Sequence, residues 1–597
     1  MSREISALLR QARRHILNIP GVEILEDLTW SPAKSRWTLH FQVECSNYQP
    51  TGLIPASTRW YALISPDYPH GEVSIFPAVE GGITATFQHQ LLNRAIKGCP
   101  WTAGEICVET STNNWGRNEF KDQPTDPELR LSWYIQRSVD WLTAAATGKL
   151  AIPGEPFEMP QIPVAVRSMI VFNEDDTTFQ WWQQQQIRVG HFEIKSIPGI
   201  TDTFATISFS CDKQLLEHKW GKNIQECKGI KYQGIWVMLN AIPVLEPWEM
   251  PTSWGQLFAF LQNNQIALQE ILQSFLKKNA SKEFDVVALG FPISLTAGQP
   301  AVQIKWLFAQ LPTIRLKNGF RNNESKNLQK ARMWFGKDVK IAWTFSENWN
   351  KLQISSRGLL HEVLQQANLL LVGAGAVGSL MADILARLGC ENITIVDSES
   401  VGVGNLSRHS LGLNSVRLNK AEMVAKKLNN IFPFINATAY DDSIETLINR
   451  GNAALSRADI IIDLTGEDEV ISQLSSHFSG SAKPVVSISL GLNAKRLYCF
   501  VARPGENDDV SETFFRLVSP WLSKDKEGNK GSSLIREEIG CWHPIFPARL
   551  DDISQLLNTI VRPLELVLTE KINCKLIIAE RVADADEVPT GITIKYE

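Results

Sequence analysis

Gly373, Gly375 and Gly378 stand in the run Leu369-Leu-Leu-Val-Gly-Ala-Gly-Ala-Val-Gly378, a G-x-G-x-x-G turn. In such a turn the first glycine permits a tight bend and the second lets backbone approach a phosphate. The third lets a helix pack closely on a strand. Asp397 follows about 20 residues on, where a carboxylate can accept ribose hydroxyls. The run Asn405-Leu-Ser-Arg408 and Lys420 then bring two cations, and Asp463 ends the apolar run Asp459-Ile-Ile-Ile-Asp463. A nicotinamide or flavin site uses the glycine loop and the first acid, but neither the cations nor the second acid. Attack on the α-phosphate of ATP uses all of them. Charge on phosphorus and on departing pyrophosphate must be neutralised, and an acid must hold Mg²⁺ against phosphate oxygens. The set points to ATP and Mg²⁺ rather than to hydride transfer.

Two cysteines are candidate nucleophiles. Cys541 lies in Ile539-Gly-Cys-Trp-His-Pro544, after the polar stretch Ser523–Ser533, which reads as a mobile loop. His543 beside it would favour the thiolate. The competing reading is a turn packed for structure. Cys107, in Gly104-Glu-Ile-Cys107, is either a second nucleophile or a small buried residue, which cysteine often is. Cys499 and Cys574 lie in apolar, strand-like runs and read as core. The nine cysteines are scattered without a C-x-x-C, which argues for reduced cytoplasmic thiols and against structural zinc.

These residues need elements to carry them. Asn368–Val372 reads as a buried parallel strand, Val377–Leu388 as a helix stopped by Gly389, and Asn392–Val396 as the next strand. Asp463 then falls at the carboxyl edge of a sheet, where open α/β folds bind ligands. Upstream, a helix over Arg3–Leu17 is followed by strands at Trp37–Val43, Arg59–Ile64 and Val73–Phe76. The Cys107 segment comes next, then a helix over Pro127–Ala146. Between these regions, Ile187–Ile194, Phe204–Phe209, Phe284–Ala288 and Val302–Phe308 read as strands and Trp254–Leu276 as one helix. That middle part is α/β or α+β without a motif, suited to holding the outer regions apart or to binding a substrate.

With 597 residues the chain is too long for one core. Breaks at Gly148–Pro163 and Phe345–Arg357 suggest three domains, 1–155, 160–345 and 350–597, in a multidomain α/β protein. A net charge of −5 leaves no overall electrostatic footprint for nucleic acid. No apolar run reaches membrane-spanning length, and the charged start, Met1–Arg14, does not read as a signal peptide.

The order glycine loop, acid, N-x-x-R, lysine, acid resembles the ThiF/MoeB/ubiquitin-activating adenylyltransferases over roughly residues 350–597. That resemblance implies a Rossmann-like domain in which Asp397 binds the ATP ribose. Asn405, Arg408 and Lys420 contact phosphates, and Asp463 holds Mg²⁺. It also implies an arginine supplied by a dimer partner, for which Arg357 is a candidate. The helix, strand meander, Tyr68-Pro69 turn, G-x-I-C segment and closing helix resemble the ubiquitin-conjugating fold, an α+β domain with Cys107 as its catalytic cysteine. His-Pro-Asn, which that family carries before its cysteine, is absent here, and the stretch reads Lys97-Gly98-Cys99. His89 and Asn93 are candidate substitutes.

The two together resemble the activating–conjugating fusion proteins of CBASS anti-phage systems. That resemblance implies a cytoplasmic homodimer that adenylates a protein C-terminus. The acyl group is captured as a thioester on Cys541, passed to Cys107 and delivered to an amine. The C-terminus implied is that of a cGAS-like nucleotidyltransferase; the amine acceptor stays open. Two alternatives remain on sequence alone. One is a ThiF-type enzyme for a sulfur carrier or peptide, with the front half as a binding module. The other is a non-catalytic scaffold with a relic nucleotide fold.

Overall fold

The computed structural model describes residues 4–44, 49–108, 123–263, 266–279, 284–312, 323–505, 510–528, 546–586 and 588–597. It divides into two compact units. One comprises residues 1–195, 202–217 and 231–347; the other comprises 196–201, 218–230 and 348–597.

The first unit holds two sheets. Four antiparallel strands, Val22–Ser31, Arg36–Glu44, Ser57–Ile64 and Val73–Pro77, pair in chain order. The helices Ala7–Ile16 and Pro127–Ala146 share one apolar core with them. The first helix starts behind Ser6, whose Oγ accepts the Leu9 N–H at 3.2 Å. Tyr68 ties the strand meander to the second helix, its oxygen accepting the Leu131 N–H at 3.1 Å. The second sheet is mixed and runs Ala342–Trp343, Gln303–Gln310, Val286–Ile293, Lys231–Met238, Val189–Ser196, Thr203–Cys211, Met169–Phe172, Phe345–Asn348. Much of the tryptophan content packs here. Trp182, Trp236 and Trp306 meet edge to face, and the Trp182 and Trp306 indoles donate to the buried Glu174 carboxylate. The helix expected over Trp254–Leu276 is two helices, Trp254–Asn263 and Leu268–Lys278.

The second unit is a doubly wound sheet. Its strand order is Asn436–Tyr440, Asn392–Val396, Asn368–Val372, Ile460–Asp463, Val485–Leu490, Arg496–Ala502, Cys574–Ala583, Pro589–Tyr596. The first five are parallel and the last three antiparallel. The inner strands are buried on both faces, as their unbroken apolar runs require. Helices Ala376–Arg387 and Leu550–Thr569 pack in the same core. Strand order reverses at Asn368–Val372, which opens a crevice beyond its carboxyl end.

Two expectations fail here. The stretch expected as a polar loop from Ser523 is helix as far as Gly528, part of Val510–Gly528. One of its polar residues is an anchor: Asp525 is buried and accepts from Tyr498 Oη at 2.6 Å and from Arg496. Cys574 is exposed at the start of its strand rather than in the core, whereas Cys499 is fully buried. Burial pushes the Cys499 thiol up to about 12.

Candidate active site

The glycine turn meets three different steric demands. Gly373 has φ +92°, and a Cβ there would lie 2.9 Å from Thr465 Cγ2. A Cβ on Gly378 would lie 2.0 Å from the Gly373 carbonyl oxygen, so helix and turn touch through it. A Cβ on Gly375 would meet nothing within 4 Å. The open space lies before the N-terminus of the Ala376–Arg387 helix. Gly375 is its N-cap, and no side chain among the described residues caps it. Exposed N–H groups at a helix start beside an open glycine suit a phosphate.

Adjacent strand ends deliver the acids. Val372 pairs in register with both Val396 and Asp463, so Asp397 and Asp463 flank the turn. Asp397 Oδ2 accepts the Ala374 N–H at 2.6 Å and Oδ1 accepts the Glu399 N–H at 2.8 Å. Asp463 is 1% exposed. Its Oδ1 accepts from Thr465 N at 3.0 Å and Thr465 Oγ1 at 2.6 Å, and its Oδ2 accepts from Ser487 Oγ at 2.8 Å. Burial holds its carboxyl above the usual range, and those hydrogen bonds oppose the shift. A nearby cation would favour the charged form.

Two adjoining recesses share Gly375, Leu464, Thr465 and Glu467. Gly373, Asp397 and Lys420 line one; Arg408 and Asp463 line the other. Lys420 begins the Lys420–Asn429 helix, is 6% exposed and pairs with the largely exposed Glu399. Arg408 donates to the Phe546 carbonyl. Asn405 does not line either recess: its Oδ1 accepts the Gly402 N–H at 2.8 Å and so caps its own short turn. Cys541 and His543 lie outside the described residues.

The sequence reading missed His409, the residue after Arg408. It is buried, with Nε2 2.6 Å from the Ala374 carbonyl oxygen and Nδ1 accepting the Leu411 N–H at 3.2 Å. A carbonyl only accepts, so Nε2 carries the hydrogen and the ring is neutral. Burial lowers its pKa, opposed by the Ala374 bond. Its position directly after N-x-x-R was the available signal.

The donor set fits a phosphate-bound Mg²⁺ rather than a protein cage. Among the described residues no group of three His, Cys, Asp or Glu side chains could hold a metal. One buried carboxylate plus phosphate oxygens is how Mg²⁺ is commonly held.

Cys107 is exposed in a second cleft in the first unit. Its N–H donates to the His89 carbonyl at 2.7 Å, and the Leu91 N–H donates to the Glu105 carbonyl at 2.9 Å. Gln90 and Ile106 form the bridge between these bonds. Asn93 is buried with its Nδ2 donating to the Ile83 and Ala85 carbonyls at 2.8 and 3.1 Å, so it serves the loop. Three distant side chains hold the backbone of residues 86–92. Thr86 N–H donates to Glu249 Oε1 at 3.3 Å, His89 N–H to Glu158 Oε1 and Oε2 at 2.9 and 3.0 Å, and Leu92 N–H to Gln161 Oε1 at 2.9 Å.

Residues 148–349 match the family model described as the Cap2 central linker domain, and residues 349–490 match the ThiF family. The ATP-dependent ubiquitin transferase-like protein Cap2 of Enterobacter hormaechei is 29% identical over 573 residues, covering 92% of each chain. The ubiquitin-like modifier-activating enzyme ATG7 of Cryptococcus neoformans is 47% identical over 72 residues, 11% of each chain. The tRNA threonylcarbamoyladenosine dehydratase of Escherichia coli is 37% identical over 84 residues, 14% of this chain and 31% of that protein. The chain is therefore an enzyme of the adenylyltransferase kind and a Cap2 homologue across 92% of its length, with a Cap2 central linker domain and a ThiF domain.

Proposed function

We propose that this enzyme uses ATP to activate a protein's C-terminal carboxylate and joins it to an amine through two cysteines. The reading rests on one observation above all: Asp397, Lys420, Arg408 and Asp463 gather around a glycine cradle at the carboxyl ends of parallel strands. Asp397 takes the ribose, and the helix N-terminus and Gly375 take phosphate. Lys420 exchanges the exposed Glu399 for phosphate oxygens, a change that returns Glu399 to water. Asp463 holds Mg²⁺, which neutralises phosphate charge when bound.

The carboxylate oxygen attacks the α-phosphorus, giving an acyl-adenylate and pyrophosphate. The Cys541 thiolate displaces AMP to form a thioester, Cys107 receives the acyl group by transthiolation, and an amine takes it as an amide. The reading divides the chain into a conjugating-type domain (1–155), a linker (160–345) and an adenylating domain (350–597). It takes the donor to be a cGAS-like nucleotidyltransferase in CBASS defence. Working as a cytoplasmic homodimer, each protomer offers Arg357, exposed after the Lys351–Ile354 helix, to the other's ATP site.

ATP–pyrophosphate exchange should depend on that donor and be lost in Asp463→Ala. A reducible adduct should form with ATP and donor, and disappear from the Cys107 position in Cys107→Ala. Absence of donor-dependent exchange would overturn the reading.

A further inference from the structure

The Cys107 cleft contains more than a thiol. His89 stands opposite Cys107 across the Gln90–Ile106 bridge, and both line the same cleft. Gln90 and Ile106 are buried, whereas Cys107 is exposed and the His89 side chain is 37% exposed, so the flanking pair is the more accessible one in the cleft. His89 has φ +55°, a left-handed conformation that is unfavourable for a residue with a side chain. What holds it there is Glu158, whose two carboxylate oxygens both accept the His89 N–H. The same carboxylate lies 3.7 Å from His89 Nδ1, at ion-pair distance. A strained backbone fixed by a specific carboxylate is costly, and such strain concentrates at functional sites. One cleft thus holds a thiol, an imidazole and a carboxylate at ion-pair distance from that imidazole, the residue types of a base oriented by a third group.

We propose that His89 is the general base for acyl transfer from Cys107 to the amine, with Glu158, from the linker region, as its positioning residue. The inference rests on the function proposed above. In the step, the amine nitrogen attacks the thioester carbonyl carbon. The N–C bond forms, the C–S bond breaks and sulfur leaves as the Cys107 thiolate. The surplus proton on nitrogen passes to the His89 imidazole, and Glu158 stabilises the resulting imidazolium. The role explains why a residue of the linker reaches this loop: without Glu158 the imidazole has neither its backbone anchor nor its counter-charge. The other titratable groups lining the cleft are His70, Glu72, Glu105, Arg130 and Tyr134.

The test uses the full chain charged with ATP and the nucleotidyltransferase donor, then chelated, with two probe amines. After attack, lysine nitrogen holds its surplus proton tightly and needs a base to take it; hydroxylamine, a strong nucleophile of low basicity, sheds its surplus proton to water. His89→Gln should carry the reducible Cys107 adduct but discharge to lysine at least about tenfold more slowly, while hydroxylamine discharge stays at the wild-type rate. Glu158→Gln should slow lysine discharge in the same way while leaving hydroxylamine discharge at the wild-type rate, and Glu158→Asp should restore part of the lysine rate. Equal lysine discharge by His89→Gln and wild type, or an equal loss with both amines, would overturn the proposal. If His89→Gln cannot be charged, wild-type lysine discharge by Glu158→Gln overturns it instead. No Cys107 adduct in the wild-type protein would sink the proposed function itself, a different outcome from any of these.

Discussion

In both clefts, side chains hold a loop by its backbone, but those side chains come from very different places. At the glycine turn, Asp397 grips Ala374 from 23 residues away and His409 from 35, while Asp463 grips Thr465 from two. At Cys107, Glu158 and Gln161 each reach across 69 residues and Glu249 across 163. The first site is built within one strand–helix–strand unit and its neighbours, so the sheet that forms the strands also forms the site. The second exists only when a remote region has folded against the loop. One site is therefore tied to the fold of the ThiF region, whereas the other is open to whatever the linker does.

The first contrast to press is at the nucleotide end, where one acid is expected to carry the largest effect. Asp463→Asn should reduce ATP–pyrophosphate exchange by roughly 10²–10³-fold, the scale of losing one electrostatic group in a dry site. The protein without ATP should be more stable, because burial raises this carboxyl's pKa. A raised acid contributes stability below the ordinary Asp value of about 3.9, and that contribution is lost as pH rises through the folded value. Thermal melts of variant and wild type should differ at neutral pH and converge below about pH 4. A variant less stable at pH 7 would mean that the hydrogen bonds from Thr465 and Ser487 outweigh the desolvation.

The glycines separate fold from function within the same turn. Gly378→Ala should cost about 1–3 kcal/mol of stability, since its Cβ has the Gly373 carbonyl oxygen in the way. Gly375→Ala places a methyl in open space at φ −73°, so melting should not change. The apparent KM for ATP should rise by about tenfold, the scale of one lost phosphate contact. A drop in Tm for Gly375→Ala with an unchanged KM would remove the phosphate from this position.

This local assembly is also why the ThiF region was legible. Asn368–Val372 and Asn392–Val396 have the bounds their apolar runs suggest, because strands buried on both faces leave no polar interruption. Asp463 at a strand end was readable for the same reason. Asn405 was placed in the right turn, but its side chain is used to cap that turn. His409 was missed because a buried polar residue carries no periodicity of its own. Val22–Ser31 escaped notice because an edge strand with an irregular exposure pattern shows neither alternation nor an apolar run. The polar run from Ser523 reads as loop by composition; its described part, to Gly528, is helix, and Asp525 there has buried partners contributed by a distant strand. The Glu158, Gln161 and Glu249 clamp is invisible for a stronger reason. Nothing near those residues in sequence specifies the loop they grip.

His409 offers a smaller effect and a sharper one. Protonating its ring would turn Nδ1 into a donor facing the Leu411 N–H. Its lowered pKa means it stabilises the turn above the ordinary value of about 6.5, and that stability is lost as pH falls through the folded value. The charged groups acting on it are Lys420, Asp397 and Lys427. Gln can donate to Ala374 and accept from Leu411 without titrating. His409→Gln should keep exchange within a few-fold at pH 7.5 and lose the acidic limb of the exchange profile. An unchanged acidic limb would assign that limb to another group.

The smallest effect tests the comparison itself. Glu249 accepts from Thr86 Oγ1 at 2.7 Å as well as from its N–H, and Thr86 Oγ1 in turn accepts the Asn93 N–H at 3.0 Å. Glu249→Ala removes the far end of that chain and leaves the buried Thr86 N–H and hydroxyl without their shared acceptor, a cost of about 1–2 kcal/mol confined to the loop. If the Cys107 cleft is held from the linker, discharge of the Cys107 adduct to lysine should slow by about two- to fivefold. ATP–pyrophosphate exchange, whose site is built entirely from the other unit, should not move. A parallel fall in exchange would mean that the two sites share a support, and the contrast between a self-contained site and a clamped one would fail.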